Sequence, residues 1–283
     1  IYGGQVLSQC LSACLQSVDS RKELHSMHSY FLQAGKETAD IIYTVTRLRD
    51  GKSFATRMVT GSQGGVAIFV LIASFQTPRI SSLVAQDPMP AVPNPDLLMT
   101  DQRFLLSLTE DPRCPEAYRQ LFKTRAKQKG LIDVRRVLTR CPFDGIPFPE
   151  GSDYEPPQFP EFTNEPRQIF WMRTNRVLSD DPNVHRAVLA YASDINLLGT
   201  ALGATPLHEI SMVASLDHSM YFHKSEFRMD EWMLYVMNSP RVEGERGLAF
   251  GKIFRRDGTL VVTVTQEGLI RLNRDYEQTR SAL

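Results

Sequence analysis

Cysteine, unbalanced charge and long apolar runs are all scarce in this sequence, and each scarcity excludes a class of protein. Lysine plus arginine and aspartate plus glutamate both number 32, so zero net charge gives the whole chain no attraction to nucleic acid or an anionic membrane. The longest apolar run, Val66–Phe75, is about half the length of a membrane span and fits a buried strand. The four cysteines form no Cys-x-x-Cys pair, so a reducing, intracellular compartment is expected: Cys10, Cys14, Cys114 and Cys141.

Signatures of common phosphate, hydrolase and metal sites are also missing. Gly51-Lys52-Ser53 has the end of a P-loop, but Thr46 stands where the first glycine is required. The absence of a G-x-S-x-G motif argues against an α/β-hydrolase serine, and no dinucleotide-binding fingerprint occurs. His208-Glu209 lacks the second histidine of H-E-x-x-H, and neither His218 nor His223 belongs to a cluster with metal-ligand spacing. We therefore expect no metal and no cofactor.

The first 77 residues have the pattern of a helix followed by strands. Gly3-Gly4 precede an apolar segment, Gln5–Val18, which we predict to be a helix. Cys10 and Cys14 are one turn apart there and are expected to pack as small apolar groups. Glycine-containing turns, among them Asp50-Gly51, separate four strand-like runs: Glu23–Leu32, Asp40–Arg49, Ser53–Ser62 and Val66–Gln76.

The middle of the chain differs from both ends in composition. Prolines cluster at positions 88, 90, 93 and 95, and again at 156, 157 and 160. Between these clusters, Pro115–Lys129 is charged and prone to form a helix. We therefore predict a linker that carries at least one solvated helix.

The helix-then-strands pattern returns after this linker. Arg167–Arg173 is a strand candidate, and Ser179-Asp180-Asp181-Pro182 has the capping side chains and proline of a helix start. Apolar residues at helical spacing continue to Gly203, which supplies a stop: Val184, Val188, Tyr191, Ile195, Leu198 and Leu202. Four strands follow, with a hairpin turn at Asp257-Gly258: Ile210–His223, Glu231–Ser239, Gly247–Arg255 and Thr259–Leu269.

One unit thus occurs twice, and its element order predicts an α+β fold. Tyr30-Phe31 in the first copy matches Tyr221-Phe222 in the second, and Gly64-Gly65 matches Asp257-Gly258. Antiparallel strands that wrap one long apolar helix describe a hotdog. Two copies in one chain predict a double hotdog whose sheets are joined side by side.

The expected division has three parts. The first hotdog takes residues 1–77, and because the chain opens at Ile1 without a methionine, it is expected to lack its first strand. The proline-rich linker with its helix takes residues 78–166, and the second hotdog takes residues 167–283.

Asp194 is the first candidate for chemistry. It lies within the predicted helix, among Ala190, Tyr191 and Leu198. If the apolar stripe misses it, the carboxylate faces solvent. If it is partly desolvated against the sheet, burial raises its pKa toward the range that suits a general base. The periodicity leaves both interpretations open.

Ser215 and Gln266 are candidates on two predicted strands. Simple alternation puts Ser215 on one face with three other side chains: Asp217, Ser219 and Tyr221. Asp217 and His218 are rival candidates there, and an ordinary strand hydroxyl is the alternative for Ser215. Gln266 ends the apolar face of its strand, where a partly buried amide needs hydrogen-bond partners, so a structural role is its alternative.

The start of the first helix offers a possible oxyanion or substrate site. Gly3 and Gly4 would expose backbone N–H groups to a negative charge, although a tight turn alone also explains them. His25 and His28 lie on the strand that follows, and His28 is included as a candidate. A lone histidine in such a position is more often structural.

Short motifs in both halves carry a family resemblance. The first half has Gly-Gly-Gln at 3–5, His-Ser-Met-His-Ser-Tyr-Phe at 25–31, Leu-Arg-Asp-Gly-Lys-Ser-Phe at 48–54 and Ala-Ser-Phe-Gln at 73–76. The second half has Leu-Ala-Tyr-Ala-Ser-Asp at 189–194, Ser-Leu-Asp-His-Ser-Met-Tyr-Phe-His at 215–223, Asp-Glu-Trp-Met-Leu-Tyr at 230–235 and Gln-Glu-Gly-Leu-Ile-Arg at 266–271. In this order they resemble the acyl-CoA thioesterase II family, which includes bacterial long-chain enzymes and eukaryotic peroxisomal ones.

The resemblance implies hydrolysis of fatty acyl-CoA to free fatty acid and CoA. The family's catalytic aspartate, serine or threonine, and glutamine fall by motif on Asp194, Ser215 and Gln266. Asp194 would accept a proton from a water that the other two hold at attack distance. The acyl tail would lie in an apolar tunnel and the CoA moiety along the surface, without a metal or a covalent intermediate. A homo-oligomer is expected.

Two other functions stay open. A hotdog enoyl-CoA hydratase commonly uses an Asp/His pair on one helix and its loop, but the Asp194 helix carries His185 and no histidine close after Asp194. A non-catalytic acyl-CoA-binding protein would keep the tunnel and lose one of the three catalytic candidates, and all three are present.

The chain end gives an expectation about location. Ser281-Ala282-Leu283 is close to the S-K-L peroxisomal address but lacks its lysine. We expect a peroxisomal protein if the source is eukaryotic and a cytoplasmic one otherwise, with neither a membrane span nor a nucleic-acid partner.

Overall fold

The structure is a computed structural model that describes residues 1–80, 82–138, 167–203, 205 and 207–273. Its α-helices are α1 (Gly3–Leu15), α2 (Asp101–Glu110), α3 (Glu116–Lys127), α4 (Pro182–Ser193) and α5 (Leu197–Ala201). Its strands are β1 (Glu23–Phe31), β2 (Ile42–Asp50), β3 (Phe54–Gln63), β4 (Val66–Gln76), β5 (Ile132–Leu138), β6 (Arg167–Thr174), β7 (Ile210–Ser215), β8 (Asp217–Phe222), β9 (Met233–Glu243), β10 (Arg246–Arg255) and β11 (Leu260–Leu272). Short 3₁₀ helices span Pro95–Leu97 and Leu207–Glu209.

All of these strands belong to one antiparallel sheet. Its order is β2-β3-β4-β1-β8-β11-β10-β9-β6-β5, and β7 pairs with β11 beyond the end of β8. The helices α1 and α4 pack against each other. Helix α1 also packs on the strands of the first unit, and α5 packs on β9, β10 and β11. The two units meet where β1 pairs with β8. This is the double hotdog that the sequence predicts.

The pairing register shows that the two units are related by an approximate two-fold axis. His28 of β1 lies opposite Ser219 of β8, and these two numbers differ by 191. Ser26 lies opposite Tyr221, and Tyr30 lies opposite Asp217. The same offset of 191 relates Ser26 to Asp217 and Tyr30 to Tyr221, so exchanging the two units converts the first pair into the second. The axis therefore passes through the joint between the two units.

A β-bulge interrupts the corresponding strand in each unit. In the first unit, the register of β1 against β4 shifts at His25. In the second unit, Ser215 lies opposite Gly268 whereas Ser219 lies opposite Thr265, so the chain carries one extra residue between them. The bulge divides the predicted strand 210–223 into β7 and β8.

The bulge corrects the predicted position of Ser215. Simple alternation put Ser215 on the face of Ser219 and Tyr221. The extra residue reverses the alternation, so Ser215 instead shares the inner face with Gln266, and their side chains are hydrogen-bonded. Ser219 lies on the outer face, where its hydroxyl is 3.1 Å from the His28 ring.

A break in the second long helix corrects the predicted position of Asp194. The sequence predicted one helix to Gly203, but α4 ends at Ser193 and Asp194 is its C-terminal cap residue. Asn196 adopts the left-handed conformation with φ of 58°, which ends the helical path before α5 begins. The break leaves the Ser193 carbonyl free to accept a hydrogen bond from Tyr235 Oη at 2.7 Å.

The two long helices begin differently. At the start of α4, the Asp181 side chain caps the helix by accepting a hydrogen bond from the Asn183 N–H at 2.9 Å. At the start of α1, Tyr2 gives no side-chain cap. The first turn of α1 therefore needs a partner from elsewhere in the chain.

The cysteines of α1 are core residues, as the sequence predicts. Cys10 and Cys14 are both 0% exposed and carry free thiols. They pack among side chains of α1, the sheet and α4. Cys141 lies outside the described residues.

The middle segment contributes to the sheet as well as to the surface. Helix α3 lies inside the predicted helical stretch, and α2 packs against it. Strand β5 was not predicted, and it pairs with β6 at the sheet edge. The predicted proline cluster at 156, 157 and 160 lies outside the described residues.

No helix among the described residues is long and apolar enough to cross a membrane.

Candidate active site

The uncapped start of α1 finds its partner at the end of α4. The Gly4 N–H donates a hydrogen bond to Asp194 Oδ2 at 2.8 Å. A carboxylate at a helix start is also favoured by the helix dipole. Asp194, which belongs to the second unit, therefore acts as a cap for the first unit's helix and ties the two together.

Glycine is required for this close approach. A Cβ atom on Gly3 would lie 3.0 Å from Asp194 Oδ2 and 3.1 Å from the Phe31 ring. A Cβ atom on Gly4 would lie 2.5 Å from the Tyr191 carbonyl oxygen. The Gly-Gly pair thus lets α1 begin directly against the last turn of α4.

Gln266 connects Asp194 to Ser215. Its side chain is completely buried, and its Nε2 donates to Asp194 Oδ1 at 2.9 Å and to Ser215 Oγ at 2.8 Å. A primary amide has two N–H groups, so both are used. The structure therefore brings together the three residues that the family motif selected, in one network.

The environment raises the pKa of Asp194 to about 6. Burial of the carboxylate is the largest cause, because a low-dielectric surrounding disfavours the charged form. The hydrogen bonds from Gln266 and Gly4 favour the charged form and limit the rise. Asp194 is therefore a carboxylate whose affinity for a proton is greater than that of an exposed aspartate.

His28 is not brought into this group. Its ring lies on the outer face of the sheet, next to Ser219 and in edge contact with the Tyr221 ring at 5.4 Å between centroids. The three-residue network of Asp194 lies on the inner face, so the sheet separates the two.

Asp217, the rival acid on the strand, has a structural partner. Its Oδ1 accepts the Glu267 N–H at 2.6 Å, which holds the chain beside the bulge. It does not join the Gln266 network.

Two tyrosines that the sequence did not single out support the end of α4. Tyr235 is completely buried, and its hydroxyl donates to the Ser193 carbonyl at 2.7 Å. Tyr2 donates to the Tyr191 carbonyl at 3.1 Å. Both satisfy carbonyl groups of the last helical turn, which have no intrahelical partners. The sequence signal for Tyr235 was only its place in the Asp-Glu-Trp-Met-Leu-Tyr motif.

The arrangement suits proton abstraction from water. Asp194 supplies a base with a raised pKa, and Ser215 and Gln266 supply polar groups next to it. Within the described ranges, no three His, Cys, Asp or Glu side chains come together as metal ligands.

Comparisons with known proteins agree over both units. Residues 160–269 match the acyl-CoA thioesterase family, and residues 1–76 match the acyl-CoA thioesterase N-terminal domain. Acyl-coenzyme A thioesterase 8 of Mus musculus is 38% identical over 99% of this chain and 83% of its own length.

Solved structures extend the agreement to the fold. The acyl-CoA thioesterase II TesB2 of Mycobacterium marinum is 37% identical, with a TM-score of 0.74 over 97% of this chain and 91% of that chain. A protein of unknown function with a hot dog fold from Alicyclobacillus acidocaldarius is only 17% identical but has a TM-score of 0.68 over 95% of this chain and 87% of its own. The chain therefore belongs to the acyl-CoA thioesterase family.

Proposed function

We propose that this protein hydrolyses fatty acyl-CoA to a free fatty acid and CoA at the Asp194 network. The family membership makes it a thioester hydrolase. The observation that supports the site is the position of Asp194, which is held by Gln266 and Gly4 and has a pKa of about 6. A base with that pKa is ionised at neutral pH and still accepts a proton in the transition state.

The proposed reaction uses one water and no covalent intermediate. As the water oxygen bonds to the thioester carbonyl carbon, Asp194 takes one of its protons. The carbon–sulfur bond of the tetrahedral intermediate then breaks, and the CoA sulfur leaves with the proton that Asp194 returns. Positioning contributes because the water is already next to its base and the carbonyl.

Ser215 and Gln266 are proposed to have different parts in positioning the attacking water. Both N–H groups of Gln266 are used by Asp194 and Ser215, so Gln266 fixes the carboxylate and the hydroxyl relative to each other. Because Ser215 Oγ accepts one of these bonds, its own proton and remaining lone pair can contact the water. Gln266 thereby acts on the water through its two neighbours in the substrate-free site.

The start of α1 is the proposed oxyanion site. The Gly4 N–H already donates to Asp194, and Gly3 precedes it at the first helical position. A backbone N–H group at a helix start stabilises negative charge that develops on the thioester oxygen. We assign this role to the Gly3 N–H.

A cleft beside the site is the proposed location of the acyl chain. It has a volume of about 660 Å³ and lies between the start of α1 and the start of β2. Tyr2 borders both this cleft and the end of α4. The carboxylates of Glu37 and Asp40 also line it and would repel the phosphates of CoA, so the uncharged acyl end fits it better.

Narrowing this cleft tests the assignment. Gln5 lines the cleft and is exposed, so Gln5→Trp should lower the rate for long acyl chains more than for short ones. Gln5→Ala is the matched control and should keep the wild-type preference. An unchanged preference in Gln5→Trp would place the acyl chain elsewhere.

The hydratase alternative has no support from the geometry. His185 lies near the start of α4, nine residues before Asp194 and about 13 Å away along the helix axis. Its Nδ1 accepts the Met229 N–H at 3.0 Å and its Nε2 is 3.0 Å from the Ser179 carbonyl oxygen. Both ring nitrogens are therefore used in structural bonds.

A panel of saturated acyl-CoAs from short to long, with crotonyl-CoA added, tests the proposed reaction. Thiol release followed with a disulfide reagent is expected from the fatty acyl-CoAs. Hydration of crotonyl-CoA without thiol release would favour a hydratase. Tight binding without either product would favour an acyl-CoA-binding protein.

We further propose a homo-oligomer that uses the outer face of the sheet. This face exposes large side chains near the two-fold axis: Tyr30 at 58%, Ile72 at 42% and Tyr221 at 41%. Burying them would be favourable. Light scattering coupled to size exclusion should give a mass above 32.1 kDa, and a Tyr30→Lys, Tyr221→Lys double variant should reduce it.

The proposed location is the peroxisome for a eukaryotic source and the cytoplasm otherwise. The resemblance to a family with peroxisomal members supports it, whereas the Ser281-Ala282-Leu283 end lies outside the described residues. Imaging of the protein with a tag at its N-terminus tests the proposal.

A further inference from the structure

Two buried polar atoms next to the active site have no partner among the described residues. They are Gln266 Oε1 and His218 Nδ1, and both side chains are 0% exposed. The strand register that pairs Thr265 with Ser219 places Gln266 beside His218 on the inner face, and the Gln266 amide opposes the fall in the pKa of His218 that burial causes. A buried polar group without a partner is costly, so the pair needs an explanation.

Asp194 determines which way the Gln266 amide points. An ionised carboxylate only accepts hydrogen bonds, so the amide nitrogen must face Asp194. The amide oxygen must then point the other way and needs a donor there.

His218 can be that donor in only one of its neutral forms. Burial lowers the pKa of His218 to about 3, so the ring is neutral and carries one proton. Its Nε2 is 3.0 Å from the hydroxyl of Ser193, whose one proton can go either to Nε2 or to the Ala190 carbonyl oxygen at 2.9 Å. If Nε2 carries the proton, two buried acceptors, Nδ1 and the Gln266 oxygen, face each other. If Nδ1 carries it, Nδ1–H donates to Gln266, and the Ser193 proton turns from the Ala190 carbonyl oxygen to Nε2, so both ring nitrogens and the Gln266 oxygen have partners.

We propose that His218, protonated on Nδ1, is a positioning residue that donates a hydrogen bond to Gln266 Oε1 and thereby holds both amide N–H groups on Asp194 and Ser215. The inference rests on the proposed function of that network. His218 touches neither the water nor the thioester, so it acts through Gln266.

The first unit supports the pairing of these two residues. By the register of the strands, Met27 occupies the position of His218, and Ala73 occupies the position of Gln266. Both are 0% exposed. Where the amide is absent, the histidine is absent too.

Two substitutions separate the two ring nitrogens. In His218→Asn, the amide nitrogen is bonded to Cγ, as Nδ1 is, and can still donate to Gln266. In His218→Gln, the nitrogen is near the position of Nε2. We expect His218→Gln to lower kcat about tenfold with little change in KM, whereas His218→Asn stays within about threefold of wild type.

A double-mutant cycle tests whether His218 acts through Gln266. In a Gln266→Ala background, His218→Gln is expected to cause no further loss of kcat. The same tenfold loss in both backgrounds, an equal loss in Asn and Gln variants, or a wild-type kcat in His218→Gln would each overturn the proposal.

Nitrogen-15 NMR of labelled histidine reads the tautomer without any substitution, so it applies even if a variant does not fold. The chain has six histidines, and Nδ1–H is expected for His218. An Nε2–H tautomer would overturn the inference. Wild type that releases no thiol from any acyl-CoA would instead refute the proposed function. The tautomer would still show whether His218 donates to Gln266 Oε1.

Discussion

The strands that follow the long helix have the same order and the same bulge in the two hotdog units, but the side chains on their inner faces differ beside the bulge. In the second unit these positions are polar or small, and in the first they are apolar. The register gives the counterparts: Leu24 for Ser215, Met27 for His218, Ala73 for Gln266 and Phe75 for Gly268. All four residues of the first unit are at most 2% exposed. One unit has therefore kept a polar network and the other has filled the same space with core.

The helix ends differ in the same way. The cap residue at the end of α4 is Asp194, whereas the cap residue at the end of α1 is the exposed Gln16. The start of α4 is capped by its own Asp181, so it needs no carboxylate from the other unit. Only the start of α1 and the end of α4 are complementary. The comparison teaches that two similar units form one proposed active site because each contributes a different half of it.

Substitution of Asp194 is expected to give the largest difference in kcat between the two units. Asp194→Asn removes the proposed base, and we expect kcat to fall about 10³-fold, within the range of general-base effects. Gln16→Ala, at the corresponding helix end, should stay within about twofold of wild type, as surface substitutions usually do. Thiol release by the two folded variants decides the matter. A large loss in Gln16→Ala would mean that the first unit also carries chemistry.

The helix start gives the next largest effect. Gly3→Pro removes the N–H assigned to the oxyanion, and the extended Tyr2 before it tolerates proline. Gly3→Ala adds a Cβ but keeps the N–H, so it controls for crowding against Asp194. We expect kcat in Gly3→Pro to be about 10²-fold below that of Gly3→Ala. Equal rates would move the oxyanion site elsewhere.

Exchanging Gln266 and its counterpart Ala73 tests whether the amide functions only in the second unit. Gln266→Ala should lower kcat roughly 10- to 100-fold, because Asp194 and Ser215 lose their common support. Ala73→Gln should restore no activity in that background and should lower the free energy of unfolding by about 1–3 kcal/mol, since the buried amide has no partners prepared for it. Chemical denaturation measures the second effect.

The smallest effect on rate is expected at the core of α1. Cys10→Ala with Cys14→Ala should leave kcat unchanged and lower the free energy of unfolding by about 1–3 kcal/mol. Complete loss of thiol release in the folded double variant would contradict the assignment of both thiols to the core.

The sequence predicted the fold well because the evidence for it is local. Glycine turns and strand-like runs placed β1 to β4 within a residue or two, and Pro182 marked the start of α4. The edge strand β5 was missed because it lies between the two proline clusters, in the segment predicted to be a linker. Its Arg135 lies over the Trp232 ring at 5.6 Å, where a cation and an aromatic face attract each other.

The motifs identified the residues of the candidate site but did not predict their arrangement in space. The single bulge residue at Leu216 reverses the face of Ser215, and no periodicity argument detects one extra residue. The left-handed Asn196 separates α4 from α5, although the apolar stripe continues. The bond from Gly4 to Asp194 joins residues 190 positions apart, so local pattern carries no trace of it.

The dependence of kcat/KM on pH tests most directly whether the partly buried Asp194 is the base. The pKa of Asp194 is raised to about 6, and a base acts only when ionised. The account predicts that wild-type kcat/KM is level above pH 6 and falls about tenfold per unit of pH below it, whereas the residual activity of Asp194→Asn has no such fall. A wild-type profile that stays level from pH 7 to pH 4.5, in protein that remains folded, would contradict it.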